Sequence, residues 1–80
     1  MEIRILVFGI VKEMAGAPGL LLQVAEGISV AELKEELSRR YPRLNELRSF
    51  AIAINGAYAS DTDLIKPGDA VAIIPPVSGG

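Results

Sequence analysis

One stretch of this 80-residue chain reads as a long helix, and what it must bury decides the rest. Ser29 and Glu32 have the spacing of a capping box, in which the hydroxyl accepts from the N–H three residues on and the carboxylate reaches back. Val30, Leu33, Leu37 and Tyr41 then recur at helical spacing and form a single apolar stripe. Lys34, Glu35, Glu36, Arg39 and Arg40 mostly cover the wet side, and Pro42 ends the helix at or before Tyr41. A helix with one apolar stripe needs one apolar surface to lie on, and the flanking segments are strand-like.

Glu2–Phe8 is rich in β-branched residues and reads as a first strand, with Ile3, Ile5 and Val7 on one face and Arg4, Leu6 and Phe8 on the other. Gly9 breaks the run. Ile10–Ala15 is expected to form a short helical turn, and Gly16-Ala17-Pro18-Gly19 a loop. Leu20–Val24 is a second strand, antiparallel to the first. After the helix, Leu44 and Leu47 suggest another helical turn, and Phe50–Ile54 a third strand. Asn55-Gly56 is a strong hairpin signal, because a type I′ turn needs positive φ at both positions. Ala57–Ala59 is then a short fourth strand, Ser60–Leu64 a polar turn-like segment, and Lys66-Pro67-Gly68-Asp69 a tight turn into a fifth strand, Ala70–Ile74. The class is α+β, a mixed sheet with one main helix packed on one face. A ubiquitin-like β-grasp fits, with the first and last strands parallel at the centre; other mixed sheets share the same element order.

Half of the residues are hydrophobic, so one core is feasible at this length without disulfides. The chain has no cysteine and no histidine. Thiolate nucleophiles, Cys–His pairs and Ser–His–Asp triads are therefore excluded, along with the commonest metal ligands. Asp61 and Asp63 read as a solvated loop rather than a metal or acid–base pair, and no metal site is expected. Gly16-Ala17-Pro18-Gly19 lacks the Lys-Ser/Thr of a phosphate loop and precedes a strand. A net charge of −2 gives no bulk attraction to nucleic acid or membrane. There is no membrane-length apolar run, and the opening Met1-Glu2-Ile3-Arg4 is unlike a signal peptide. A soluble, cytoplasmic protein is expected.

If Ile3, Ile5, Val7, Val71 and Ile73 face the helix, alternation sends Leu6, Phe8, Ala72 and Ile74 to the other side, where Tyr58 joins them. That is a candidate partner surface unless Ile10, Met14 and the loops fold over it. It lies beside Pro75-Pro76-Val77-Ser78-Gly79-Gly80. The prolines offer no N–H and fix φ near the polyproline value, so they launch the chain away from the sheet. The expected organisation is a domain over residues 1–74 and a flexible tail over 75–80 that ends in the Gly80 carboxylate. Gly79 and Gly80 can enter a channel too narrow for side chains.

The ending Ile74-Pro75-Pro76-Val77-Ser78-Gly79-Gly80 resembles the aromatic/aliphatic-Pro-Pro-Val-Ser/Thr-Gly-Gly terminus of the molybdopterin synthase small subunits, a family of sulfur carriers. Val7-Phe8-Gly9 through Lys12-Glu13-Met14-Ala15-Gly16 resembles the family's opening, with Lys12 for a frequent Arg. Ala53-Ile54-Asn55 and Pro67–Ala72 resemble its third strand and its Gly-Asp turn, and Ile74 stands where an aromatic is common. The resemblance implies a carrier with no activity of its own and no bound cofactor. ATP is used by a separate adenylating enzyme, which activates the carboxylate of Gly80; a sulfur donor protein then leaves a thiocarboxylate there. The large synthase subunit takes the tail, and sulfur passes to cyclic pyranopterin monophosphate in molybdenum-cofactor synthesis, within a heterotetramer. In this reading Pro75 and Pro76 stiffen and direct the arm, Val77 and Ser78 continue it, and Gly79 keeps it thin. Phe8, Tyr58 and Ile74 dock the partner, with Lys12 at the rim. Sulfur carriers for thiamine or tRNA thiolation, and ubiquitin-like protein modifiers, are the alternatives. Molybdenum or tungsten as the final metal, the sulfur donor and the oligomeric state alone are left open.

Overall fold

A computed structural model describes residues 1–47 and 49–76. Five strands form one sheet: β1 (Glu2–Val7), β2 (Gly19–Gln23), β3 (Ala51–Ile54), β4 (Ala57–Tyr58) and β5 (Val71–Ile74). Two helices, α1 (Gly9–Ala15) and α2 (Val30–Arg40), and a 3-10 turn over Pro42–Glu46 complete the fold. The sheet order is β2-β1-β5-β3-β4. β1 and β5 run parallel at its centre, and the other neighbours are antiparallel. This is the ubiquitin-like β-grasp architecture, a mixed sheet with its main helix on one face.

Alternation builds the core. Ile3, Ile5 and Val7 of β1 are buried while Glu2, Arg4 and Leu6 are exposed. Leu20, Leu22, Ile52, Val71 and Ile73 join them from the other strands, and Val30, Leu33 and Leu37 of α2 from above. Tyr41, the last residue of the expected stripe, lies past the helix as its C-cap and packs partly buried against the same cluster.

The first turn of α2 leaves no N–H without a partner. Glu32 N–H donates to Ser29 Oγ (3.1 Å), and Ser29 N–H donates to Glu32 Oε1 (3.0 Å), closing the capping box. Val30 N–H donates to the Asp63 carbonyl (2.9 Å) and Ala31 N–H to that of Asp61 (3.1 Å). The polar segment Ser60–Leu64 is thus a clamp on the helix start, although nothing in its residue pattern marks it as one. The Glu32 carboxyl is held below its usual range, first by the backbone N–H of Ser29 and then by its hydroxyl.

Strand ends differ from the sequence expectation by a residue, with one consequential case. β1 stops at Val7, and Phe8, still extended at φ −135° and ψ 162°, caps a seven-residue helix. Gly9 starts that helix rather than merely ending the strand, and α1 is longer than the single turn expected. The Asn55-Gly56 turn has φ of 52° and 85°, the type I′ pattern. Asn55 also ties the hairpin to the start of β5: its Nδ2 donates to Asp69 Oδ1 (3.0 Å), and its Oδ1 accepts from Ala70 N–H (2.9 Å). Among the described residues no helix is long and apolar enough to cross a membrane.

Ser29→Ala removes one reciprocal bond of the cap but leaves the backbone clamp. It is expected to lower stability by about 1 kcal/mol, read as a reduced urea midpoint at unchanged slope.

Candidate functional site

The site is built where β5 leaves the sheet. Ile74 ends the strand half-buried; Pro75 is half-buried and Pro76 exposed. Pro75 lies against the first residue of α1, so that a β-carbon on Gly9 would stand 3.6 Å from Pro75 Cγ. Gly9 has φ +53°, the left-handed region that side chains disfavour. Its conformation turns the chain from the edge of β1 into α1 at the place where the tail departs.

The open face of the sheet beside this exit carries a depression. Strand register places Tyr58 opposite Ala53, Ala53 opposite Ala72, and Ala72 opposite Leu6. The two alanines make a low floor and the larger side chains its rims. Leu6 is 45% exposed, Phe8 48% and Tyr58 73%. Phe8, Tyr58 and Ile74, three residues singled out from the sequence, line one depression together with Leu6. Among the described residues no charged one lines it. Its described lining therefore offers apolar contact and one phenol.

The fourth interface candidate, Lys12, stands apart. It is exposed on α1, one turn after Phe8, to whose carbonyl its N–H donates (3.3 Å), and it is not among the lining residues. Ile10 and Met14 do not fold over the open face as one expectation allowed. Met14 packs with the core cluster beside buried Val11, and Ile10 is 43% exposed. Of the floor residues, Ala72 was sent to this face by alternation, whereas Ala53 was not singled out for it; a small residue at the cross-strand position was the available sign. Val77, Ser78, Gly79 and Gly80 lie outside the described residues.

The polar alternatives have structural uses. Asp61 pairs with Lys34 (3.0 Å), and Asp63 Oδ2 accepts from Ser60 N–H (2.8 Å). Among the described residues no three His, Cys, Asp or Glu side chains are grouped to hold a metal ion.

Residues 5–80 match the ThiS family. The molybdopterin synthase sulfur carrier subunit of Arabidopsis thaliana is 37% identical over 81 residues, spanning 100% of this chain and 84% of the relative. The small archaeal modifier protein 1 of Methanosarcina acetivorans has a solution structure with a TM-score of 0.77 and 30% identity, over 99% of this chain and 96% of that one. A chain in the complex of subunits 1 and 2 of molybdopterin-converting factor from Helicobacter pylori 26695 aligns over 100% of both chains, with a TM-score of 0.68 and 25% identity.

Gly9→Ala forces a side chain into the left-handed region next to Pro75. The expected cost is about 1–2 kcal/mol of unfolding free energy by urea denaturation, with amide shifts concentrated at α1 and Ile74.

Proposed function

The chain belongs to the ThiS family of ubiquitin-like β-grasp proteins, alongside the molybdopterin synthase sulfur carrier subunits, and on that premise we propose that it carries sulfur on the Gly80 carboxylate for molybdopterin synthesis. One observation carries this reading. The central strand of a chain matched over its whole length by such a carrier runs directly into Pro75-Pro76 beside an apolar depression.

The chemistry follows from what a carboxylate lacks. Its negative charge repels nucleophiles, and oxide is a poor leaving group. Transfer of AMP from ATP to the carboxylate releases pyrophosphate and gives an acyl-adenylate. Attack by hydrosulfide released from the donor at the acyl carbon expels AMP and, on loss of its proton, leaves a thiocarboxylate. These steps belong to an adenylating enzyme and a sulfur donor protein; the carrier supplies the terminus and a surface by which it is recognised. The large synthase subunit then receives the tail, where sulfur reaches cyclic pyranopterin monophosphate, in a complex of two carriers on two large subunits. The match to a chain from the Helicobacter pylori subunit 1 and 2 complex supports a large-subunit partner. Tethering keeps sulfur at high local concentration and out of bulk solvent.

The 30% identity to an archaeal modifier protein favours a second reading, in which the activated Gly80 forms isopeptide bonds with lysines of other proteins. One incubation separates the two. With ATP, a cognate activating enzyme and a sulfur source, the first reading expects a mass gain equal to exchange of one oxygen for one sulfur. Lysine-linked conjugates and no such gain would establish the second.

Deletion of Gly80 is expected to abolish the mass gain and molybdopterin formation in a reconstituted assay, while the urea unfolding curve stays unchanged. Normal product from the deletion variant would refute the proposal. Phe8→Asp places a charge on the depression rim and is expected to weaken large-subunit binding about tenfold or more by calorimetry, consistent with loss of a central aromatic contact.

A further inference from the structure

The sheet leaves one side of its β2 backbone open. Met1 and Val24 exchange both of their hydrogen bonds, each 2.8 Å, and Val7 N–H donates to the Pro18 carbonyl (3.1 Å). The strand register then puts Leu20 and Leu22 in the same phase, with their backbone groups turned toward β1. Gly19, Leu21 and Gln23 turn theirs outward, and β2 is the terminal strand on this side. Among the described residues, the one hydrogen bond to these outward groups is from Arg40 Nη2 to the Gln23 carbonyl, at 3.5 Å. Residues 19–23 contain no charge and no proline, and Leu21 is 58% exposed. Charge and proline are the usual guards of an edge that must remain single, and β2 lacks both.

Two further features lie on the helix side of this edge. A cavity of about 150 Å³ opens between α1 and the corner that follows α2, walled by Val11, Met14, Leu20, Tyr41 and Leu44. Among the described residues the charged ones lining it are Arg40 and Arg43, with no carboxylate. Arg40 gives Nε to Glu36 (2.9 Å), and Arg43 Nε stands 3.6 Å from Glu46. Each guanidinium keeps donors without a partner among the described residues.

We infer that the β2 edge, this cavity and the two arginines form a docking groove for an extended partner peptide that pairs aliphatic residues with acidic ones. The placement follows from strand geometry. On an added strand, side chains opposite Leu20 and Leu22 point to the helix side, two residues apart. The one opposite Leu20 stands over the apolar cavity. The other is directed toward Arg40, whose guanidinium already reaches the neighbouring Gln23 carbonyl. An aliphatic residue and a carboxylate at i and i+2 fit these two positions, and a lysine at the second is repelled. The groove lies on the opposite face from the Phe8–Tyr58 depression, so it stands independently of the sulfur-carrier reading.

The test is an NMR titration of the ¹⁵N-labelled full chain with acetyl-Val-Ile-Val-Ile-Asp-Asp-Asp-amide, against the same peptide with lysines for aspartates. The expected result is amide shifts centred on Gly19, Leu21 and Gln23, slowed exchange of the Leu21 amide, and binding of the lysine peptide weakened about tenfold or more. Arg40→Glu with Arg43→Glu should weaken binding about tenfold, the scale of two lost exposed ion pairs. Leu21→Pro should abolish it, since it removes an outward donor that the β1–β2 ladder does not use. Equal binding of the lysine peptide, full affinity in either variant with α2 amides unshifted, shifts centred on Phe8 and Tyr58, or no shift at millimolar peptide would each overturn the proposal. So would concentration-dependent broadening without peptide, which would mark the edge as a contact between copies of this chain.

Discussion

The parallel pairing of β1 with β5 is the contact on which the rest of the molecule depends. It sets Ile5 beside Val71 and Val7 beside Ile73, and all four are buried. Parallel neighbours cannot be joined by a hairpin, so nearly the whole chain serves as the crossover between them. That forces α2 onto one face and leaves the hairpin of β3 and β4 to complete the far side. It also fixes the exit. A chain leaving from an edge strand moves with that edge, whereas one leaving β5 is held by neighbours on both sides. The cost is kinetic, because a strand formed first in the sequence waits for the last, and such non-local contacts slow folding.

The direction taken by α1 separates the two faces of the sheet. Leu6, Phe8 and Tyr58 would bury readily under a short amphipathic helix, and apolar area is worth about 25 cal/mol per Å² removed from water. The chain offers such a helix immediately after Phe8, yet Val11, Met14 and Ala15 pack on the α2 side. The left-handed Gly9 is the point at which that choice is made. A residue with a β-carbon would resist it, and the extended Phe8 would then be free to continue as strand. The depression thus stays uncovered through one backbone conformation, at the residue that also touches Pro75.

Much of this was legible in the residues, where a feature depended on near neighbours. The capping box, the Asn55-Gly56 turn and the alternation of β1 each need only a few consecutive positions, and each is found as read. What escaped reading depends on residues distant in sequence. The clamp of Asp61 and Asp63 carbonyls on α2 uses backbone atoms, so no side-chain pattern announces it. The Asn55–Asp69 link joins two turns that read separately as ordinary polar punctuation. The side on which α1 packs hinges on the sign of one glycine φ, and composition carries no record of a sign. In the site, alternation was enough to send Phe8 and Ile74 to one face, which Tyr58 shares; Lys12, assigned to the rim by resemblance, is exposed on α1 and is not among the lining residues. The tail residues 77–80 were readable as chemistry and lie outside the described structure.

In the proposed role, the poverty of the domain in reactive groups is an advantage. A thiocarboxylate is a soft nucleophile that must meet its acceptor and nothing else. A carrier without cysteine offers it no disulfide partner, and one without histidine offers no general acid near neutral pH to assist hydrolysis. Selectivity then rests on docking. The depression adjoins the exit of the arm, so a partner bound there holds the arm's origin within a few residues of the contact. In the proposed role a six-residue tether, at about 3.1 Å per residue if polyproline-like, would keep its end within roughly 19 Å of its origin. An effective concentration in the millimolar range follows for short tethers. Moving the depression to the far edge of the sheet would leave its area unchanged and lose that gain, so its position beside Pro75 matters as much as its composition.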